Sequence, residues 1–534
     1  MGEANVDDVL DMLGFGRMQL CIFFGCAAQQ WYVANEQFGI ALVIVAARCE
    51  FDIDEHRMVW LVNSAFAAQV CASHYLGYKS DEIGRRKMLL ICSMMSILTS
   101  FISALMPDFW SFLVLRFIMG ICLTGIVITQ LTYMSEFTKI SLRPKVINFA
   151  CYAIGISMIY VPVSAMVLLP LRIHLKIWGN YGISSWRLLL MTNLPPGLIA
   201  WTIIYCMPES PKYYLSVDKP QKAFEVLDKC CRYNKGKDVT LRSLNIGSVS
   251  QPGLRSDTAS ADKNCLYRIW CETKPLLQGS NLCHMLLSIS ILFLLFGTGF
   301  GLIVWMPLVL QMTEQIAGNM ILCDLVAESL AFNSTSPIFK CALADENLRA
   351  SIFNGICCLA IFMLVSVLLI CLNRKTILLV FSLVAAFAGF MLNFVKVTEL
   401  IMASYAFLAL PSVCSTRLAL TVLIDIIPTH LRSKAVALAM MCGRIGILAA
   451  NLLVGYSLNW NCFVTFNAFV LAIFLCTYEP TAEGCKDCGQ QMSHKGLACC
   501  AFKFNKCSIL ICLLVSLNSN SFLLICRRRK QTIY

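Results

Sequence analysis

The sequence predicts an all-α membrane protein in which twelve transmembrane helices form two pseudo-symmetric bundles of six. Three observations carry that expectation. First, 58% of the 534 residues are hydrophobic and only 14% are charged, whereas about a quarter of a soluble domain is charged. Second, the apolar residues recur in runs of roughly twenty, long enough to cross a hydrocarbon core. Backbone polar groups in lipid must be satisfied within the segment, so such runs are helices. Third, charged residues repeat at one offset, as described below.

The first six runs are 19–47, 57–77, 88–106, 110–134, 146–169 and 186–207. The second six are 282–310, 351–372, 376–395, 400–426, 433–458 and 462–478. They divide the chain into an N-terminal segment 1–18, a first bundle 19–207, a central loop 208–280, a second bundle 281–478 and a Cys-rich tail 479–534. The central loop should hold a short amphipathic helix, 220–231, and a Gly/Ser-rich stretch, 243–260.

A net charge of +12 would suit a nucleic-acid binder. Here, however, Lys and Arg sit in short loops between apolar runs, at 79–87, 139–145, the central loop, 374–375 and 432–434. With twelve spans these loops share one side, and basic loops face the cytoplasm. The N-terminus should share that side. One loop breaks the pattern, with Arg172, His174 and Lys176 on the outer side. Glu3, Asp7, Asp8 and Asp11 precede the first run, so a cleaved signal peptide with a basic start is not expected. Most of the 29 cysteines lie within apolar runs, where they act as small soft apolar residues.

Glu136 and Arg143 follow the fourth run, and Asp425 and Arg432 follow the tenth 289 residues later. The same offset carries Arg85-Arg86 onto Arg374-Lys375. Three charged sites at one offset indicate two related halves, as in transporters built from parallel repeats.

The loop between the second and third runs reads Gly77-Tyr78-Lys79-Ser80-Asp81-Glu82-Ile83-Gly84-Arg85-Arg86-Lys87. Gly77 could let two helices approach closely. Asp81 could sit at a helix N-terminus. Gly84 could turn the chain, and Arg85 and Arg86 could pair with acids on neighbouring helix ends. The spacing resembles the G-x-x-x-D-x-x-G-R-R/K loop of the major facilitator superfamily. After the sixth run, Pro208-Glu209-Ser210-Pro211-Lys212 resembles an element of sugar-porter and organic-ion-transporter relatives, with Glu209 a partner for Arg85 or Arg143. Segments Ala46-Ala47-Arg48-Cys49-Glu50-Phe51, Ser73-His74-Tyr75-Leu76-Gly77, Ser185-Trp186-Arg187, Asp425 through Arg432, and Gly443-Arg444 are similar to the synaptic vesicle glycoprotein 2-like family. Those glycoproteins carry a long lumenal domain between the seventh and eighth spans; the corresponding loop here is short, 312–349.

The resemblance implies a carrier of a small organic solute, with an organic ion among the options, working by alternating access. A vesicle-membrane protein that binds a ligand or partner without transport is the alternative. Charged or strongly polar residues inside spans are costly and usually functional. Glu36, Gln29, Asn35, Tyr152, Trp305 and Arg417 are therefore candidates for solute binding or proton coupling. Glu36 matches a glutamate of the family, and structural pairing is its alternative role. A gating network is expected from Gly77, Asp81, Gly84, Arg85, Arg86, Glu136, Arg143, Glu209, Asp425, Arg432 and Arg444. Asn333-Ser334-Thr335 is a glycosylation pattern, and Cys323 and Cys341 flank it as a candidate disulfide. In the tail, Cys485, Cys488, His494, Cys499 and Cys500 are too irregular for a metal site, and the apolar run 507–526 suits an interfacial segment better than a span. The expected partners are a small solute and the lipid bilayer, in the plasma membrane or a vesicle. Cofactor, metal, nucleic acid and enzymatic chemistry are not expected.

Overall fold

The computed structural model describes residues 2–48, 50–171, 174–178, 181–250, 274–277, 281–314, 320–333, 345–427, 432–458 and 460–478. The tail 479–534, and with it the cysteine cluster and the apolar run 507–526, lies outside the described residues, as does Cys341.

Helices accompany every predicted run. A short helix α1 (Val6–Leu13) precedes α2 (Arg17–Ala47), α3 (Glu55–Ile83), α4 (Arg85–Ala104), α5 (Phe109–Glu136) and α6 (Arg143–Leu168). The sixth run is broken at Thr192-Asn193 into α7 (Ser185–Met191) and α8 (Leu194–Cys206), because Pro195 and Pro196 suit a new helix start. After α9 (Pro211–Ser216) and α10 (Pro220–Lys235), the second half opens with α11 (Asn281–Phe296), a π-helical segment Gly297–Gly301, and α12 (Leu302–Glu314). Then come α13 (Leu322–Asn333), α14 (Asp345–Cys371), α15 (Arg374–Met391), α16 (Thr398–Ile426), α17 (Arg432–Ser457) and α18 (Cys462–Tyr478). Among the described residues nine helical stretches are long and apolar enough to cross a membrane, or ten if α1 and α2, bent by 101°, are one span. The remaining two positions hold α3, which carries Asn63, Ser64, Gln69, Ser73 and His74, and the shorter apolar α18.

Packing makes the repeat explicit. In the first half, the first helix contacts the fourth, fifth and sixth, the second contacts the fourth, and the third contacts the fourth and sixth. Each of these pairings recurs in the second half between the helices six positions later. The helix starts repeat too: α4 begins at Arg85 and α15 at Arg374, α6 at Arg143 and α17 at Arg432, both 289 residues apart.

The halves meet through α3 against α17, α6 against α14, and α2 against α12. The first two pairings exchange under the pseudo-twofold relation, and the third maps onto itself. The α6–α14 crossing is close because each helix offers a glycine. A Cβ on Gly155 would lie 3.1 Å from the Leu359 Cα, and one on Gly355 would lie 2.7 Å from the Met158 carbonyl carbon. Small residues permit such approach in membranes, where van der Waals packing drives helix association. The outward faces are apolar instead, with Phe353, Phe387 and Ile370 exposed as lipid would require.

At the end of the first half that bears the basic loops, the N-terminal segment folds against the central loop. Strand β1 (Gly2–Asn5) pairs in parallel with a later strand, Ile246–Ser250. Val6, Val9, Leu10 and Leu13 of α1 join a core with Val226, Leu227 and Ile246, so the amphipathic helix expected at 220–231 is present as α10. The opposite end carries an antiparallel hairpin, His174–Trp178 with Tyr181–Ser184, in the loop whose basic residues broke the charge pattern.

The expected pairing of Cys323 with Cys341 is corrected. Helix α13 packs on α18 and brings Cys323 to Cys462, with Cα atoms 5.4 Å apart, and these two form the disulfide. The bond spans 139 residues of sequence, a separation that spacing alone does not reveal.

Candidate functional site

Three polar assemblies stand out within or beside the helices. The first is at the basic-loop end. Gly84 links α3 to α4 with φ +102°, and an added Cβ would lie 2.6 Å from Glu209 Oε2. Glycine is thus required twice, for the left-handed backbone and for room. The Glu209 carboxylate accepts from the backbone N–H groups of Arg86, at 2.8 Å, and Lys87, at 3.3 Å. It caps α4 from across the sequence, stabilising the free N–H groups of a helix start by about 1 kcal/mol. The anion at this helix start is therefore Glu209. Asp81, expected there, lies instead in the last turn of α3 and pairs with Arg85 at 2.7 Å. Arg85 also reaches Glu136 at 3.2 Å and the Ser80 carbonyl at 3.0 Å. Its guanidinium lies over the Tyr213 ring. Arg86 donates to the carbonyls of Ile204 and Tyr205. Glu209 thus pairs with backbone, and neither Arg85 nor Arg143 is its direct partner.

Arg143 donates from Nε to the Ser135 and Thr138 carbonyls, both at 2.9 Å, at the end of α5, and pairs with Asp7 at 2.8 Å. Lys212 reaches the same Asp7 oxygen at 2.7 Å. Burial pushes the Asp7 carboxyl up, but Lys212 and Arg143 outweigh it and hold the group below its usual range. Asp7 escaped the sequence reading, although the apolar spacing of Val6, Val9, Leu10 and Leu13 marks its helix as docked. Gly77 is also corrected: among the described residues nothing lies within 4 Å of a Cβ placed there, so it mediates no close helix approach.

The second assembly closes the other end of the first half. Arg187, fully buried, pairs with Glu50 at 2.5 Å and donates to the carbonyls of Ala104, at 2.9 Å, and Met106, at 2.6 Å, where α4 ends. Trp186 and Ser184 also donate to Glu50. Burial raises the Glu50 carboxyl, and the Arg187, Ser184 and Trp186 hydrogen bonds bring it below the ordinary value.

The third lies inside the first half. Glu36 on α2 pairs with Arg116 on α5 at 2.7 Å and accepts from Ser100 on α4 at 2.7 Å. Both charged side chains are at most 1% exposed. Gln29 is likewise turned inward and donates to Ser93. These residues bind three helices of one bundle together.

Two other predicted residues, Tyr152 and Arg444, bond across the boundary between the halves. Tyr152 on α6 shares a hydrogen bond of 2.6 Å with Ser366 on α14, which also accepts from Asn148 at 2.6 Å. Arg444 on α17 is 3% exposed and donates across the boundary to Ser73 and to the Gln69 carbonyl of α3. Several buried polar atoms have no partner among the described residues: both side-chain amide atoms of Asn35, Trp305 Nε1, Ser157 Oγ and Arg417 Nε. Phe38 stacks on Phe300 of the π-helical segment, with centroids 5.6 Å apart. Beside them a cavity of about 50 Å³ is walled by both halves, through Gly39, Ser157, Met158, Met306 and Ser351 among others. Asp425 and Arg432 lie on helices α16 and α17, and Asn333 ends α13; their side chains lie outside the described residues.

Two helical bundles related by a pseudo-twofold and meeting along a few helix pairs define a polytopic membrane protein of two repeated halves. Residues 20–336 match the family model described as Major Facilitator Superfamily, and the chain belongs to that superfamily. It is 24% identical to synaptic vesicle glycoprotein 2C of Mus musculus over 325 residues, covering 57% of this chain and 44% of that protein. It is also 24% identical to the putative transporter svop-1 of Caenorhabditis elegans over 273 residues, 50% of this chain and 49% of that protein. The chain thus spans just under half the length of these curated relatives. In fold it is similar to the xylose transporter XylE of E. coli in a partially occluded inward open conformation, with a TM-score of 0.60 at 16% identity, covering 86% of this chain and 98% of that one. A mutant of the nucleoside transporter NupG gives a TM-score of 0.55 at 10% identity over 87% of this chain and 99% of that one.

The Glu36–Arg116 pair yields a direct expectation. Removing one member of a buried ion pair costs about 3–5 kcal/mol, whereas replacing both by apolar residues is often neutral. Glu36→Gln should lower the melting temperature of the purified protein substantially, and Glu36→Leu combined with Arg116→Leu should recover most of the loss. A Glu36→Gln protein that melts like the parent would remove the structural role.

Proposed function

We propose that this protein carries a small organic solute across a bilayer by alternating access, with the site at the boundary between its halves. The observation that carries the reading is a symmetric boundary with a cavity walled by both halves, between bundles whose buried polar groups include several without a partner among the described residues. Asn35 and Ser157 belong to the first half, Trp305 and Arg417 to the second. Rigid bundles are a requirement of rocking motion, and the Glu36–Arg116 and Arg187–Glu50 pairs supply rigidity within the first half. In this reading Asn35, Tyr152, Trp305 and Arg417 face the solute, while Gln29 and Glu36 hold their bundle together. The network of Gly84, Arg85, Arg86, Glu136 and Glu209 shapes the cytoplasmic end of the first half, and Asp81, Arg143, Asp425, Arg432 and Arg444 contribute to gating.

The reading is tested by loading proteoliposomes with a defined mixture of sugars, organic anions and organic cations and following efflux by mass spectrometry. At least one component should leave faster than from protein-free vesicles. Gly355→Leu forces a side chain into the Met158 backbone; overpacking of this kind costs about 1–3 kcal/mol. It should slow efflux while leaving the size-exclusion profile unchanged. Ligand binding with no efflux of any component would favour a binding protein without transport.

The same reading puts the basic loops in the cytoplasm and Asn333 on the opposite face, in a plasma or vesicle membrane. Glycosidase treatment of protein from cells should then change its mobility, and Asn333→Gln should abolish the change. Protection of the 312–349 loop on the cytoplasmic side would reverse the orientation.

A further inference from the structure

We propose that the solute is an organic oxyanion, a carboxylate or phosphate monoester, held at the boundary by Arg417 and Arg444. The proposal rests on the carrier reading only in calling the ligand a transported solute; binding is testable without flux.

Charge balance at mid-membrane is the starting point. Arg417 lies nine residues before the end of α16 at Ile426, and Arg444 twelve after the start of α17 at Arg432. At 1.5 Å per residue both are roughly 14–18 Å from the helix ends, near the middle of a core about 30 Å thick. The second half offers them no carboxylate at that depth. Its sequence has no Asp or Glu between Glu346 and Glu399, and Asp425 is one residue from the end of α16. The first half is different. Its buried arginines, Arg116 and Arg187, pair with Glu36 and Glu50.

Among the described residues Arg444 meets neutral acceptors, the Ser73 hydroxyl and the Gln69 carbonyl of the opposite half. Arg417 Nε is buried without a partner among the described residues. The two arginines lie at similar depth on α16 and α17, which pack against each other. Two like charges thus lie on neighbouring helices, with Arg444 at the boundary, in a medium where an unpaired charge costs about 3 kcal/mol or more. An anion between them would remove the cost. The planar guanidinium fork favours a planar or tetrahedral oxyanion that takes two hydrogen bonds at once. Because the acceptors on α3 and the arginines on α16 and α17 belong to different halves, such a ligand would also bridge the elements that move.

The test is thermal unfolding of the purified full chain at constant ionic strength with succinate, benzoate, glucose 6-phosphate, inorganic phosphate, glucose and tetraethylammonium. At least one organic anion should stabilise the protein saturably, and glucose and tetraethylammonium should not. Arg417→Gln and Arg444→Gln should each weaken that anion about tenfold or more, as loss of a charged hydrogen bond does, with Arg417→Lys intermediate. Without ligand, Arg417→Gln should melt at or above the parent temperature, since an uncompensated charge has gone; a structural arginine would give a fall. Stabilisation by glucose or tetraethylammonium alone, by inorganic phosphate alone, or by nothing overturns the proposal. So does unchanged anion affinity in both Gln variants, or a lowered melting temperature of ligand-free Arg417→Gln. Anion binding without efflux would leave the proposal standing and remove the carrier reading, whereas efflux of a neutral sugar alone would do the reverse.

Discussion

A charge in hydrocarbon needs a partner, and this constraint organises the whole molecule. The first half meets it internally. Glu36 and Arg116 neutralise each other between α2 and α5, with Ser100 of α4 completing the carboxylate's hydrogen bonds. Arg187 is met by Glu50 and by the carbonyls that α4 leaves free at its end. Both pairs join helices of one bundle, so the electrostatic requirement also makes the bundle stiff. At the basic-loop end the same logic applies to partial charges: Glu209 satisfies the start of α4 and Arg143 the end of α5. Among the described residues of the second half, Arg444 turns instead to neutral acceptors across the boundary, so the two halves differ in how they meet the constraint.

The proposed alternating-access cycle draws on the same geometry. Stiff bundles that touch along α3–α17, α6–α14 and α2–α12 can rock about the contacts without breaking their own cores. The glycine-based crossing of α6 and α14 supplies a close but smooth contact. In that cycle the hydrogen bonds across the boundary, such as the one between Tyr152 and Ser366, would be exchanged for solute contacts.

Much of this was legible in the sequence. Runs of apolar residues located the helices, and the 289-residue offset of charged sites coincides with helix starts at Arg85 and Arg374 and at Arg143 and Arg432. Gly84 was legible as a turn because it is a glycine in the short loop between two apolar runs, and its φ of +102° bears that out. Partner choice was not. Asp81 and Glu209 are both acids near one helix start, and only the packing of the segment after α8 shows that Glu209 caps it. Glu36 and Arg116 are 80 residues apart and meet only when α2 and α5 pack. Cys323 finds Cys462 because α13 folds onto α18, while nearness in sequence had favoured Cys341. Gly77 failed in the other direction: a small residue in a loop motif implied a contact that the fold does not make.

The central claim is that the two bundles move as units and open alternately to the two sides. Spin labels can be placed at four exposed positions. Ser141 and Asn373 lie at the basic-loop ends of the first and second halves, and Asp108 and Lys396 at their opposite ends. Pulsed electron–electron distance measurement in lipid nanodiscs, with and without a stabilising ligand, should show the two pairs changing in opposite senses, one lengthening as the other shortens. Two distance distributions that stay fixed under every ligand, or that lengthen and shorten together, would contradict the account.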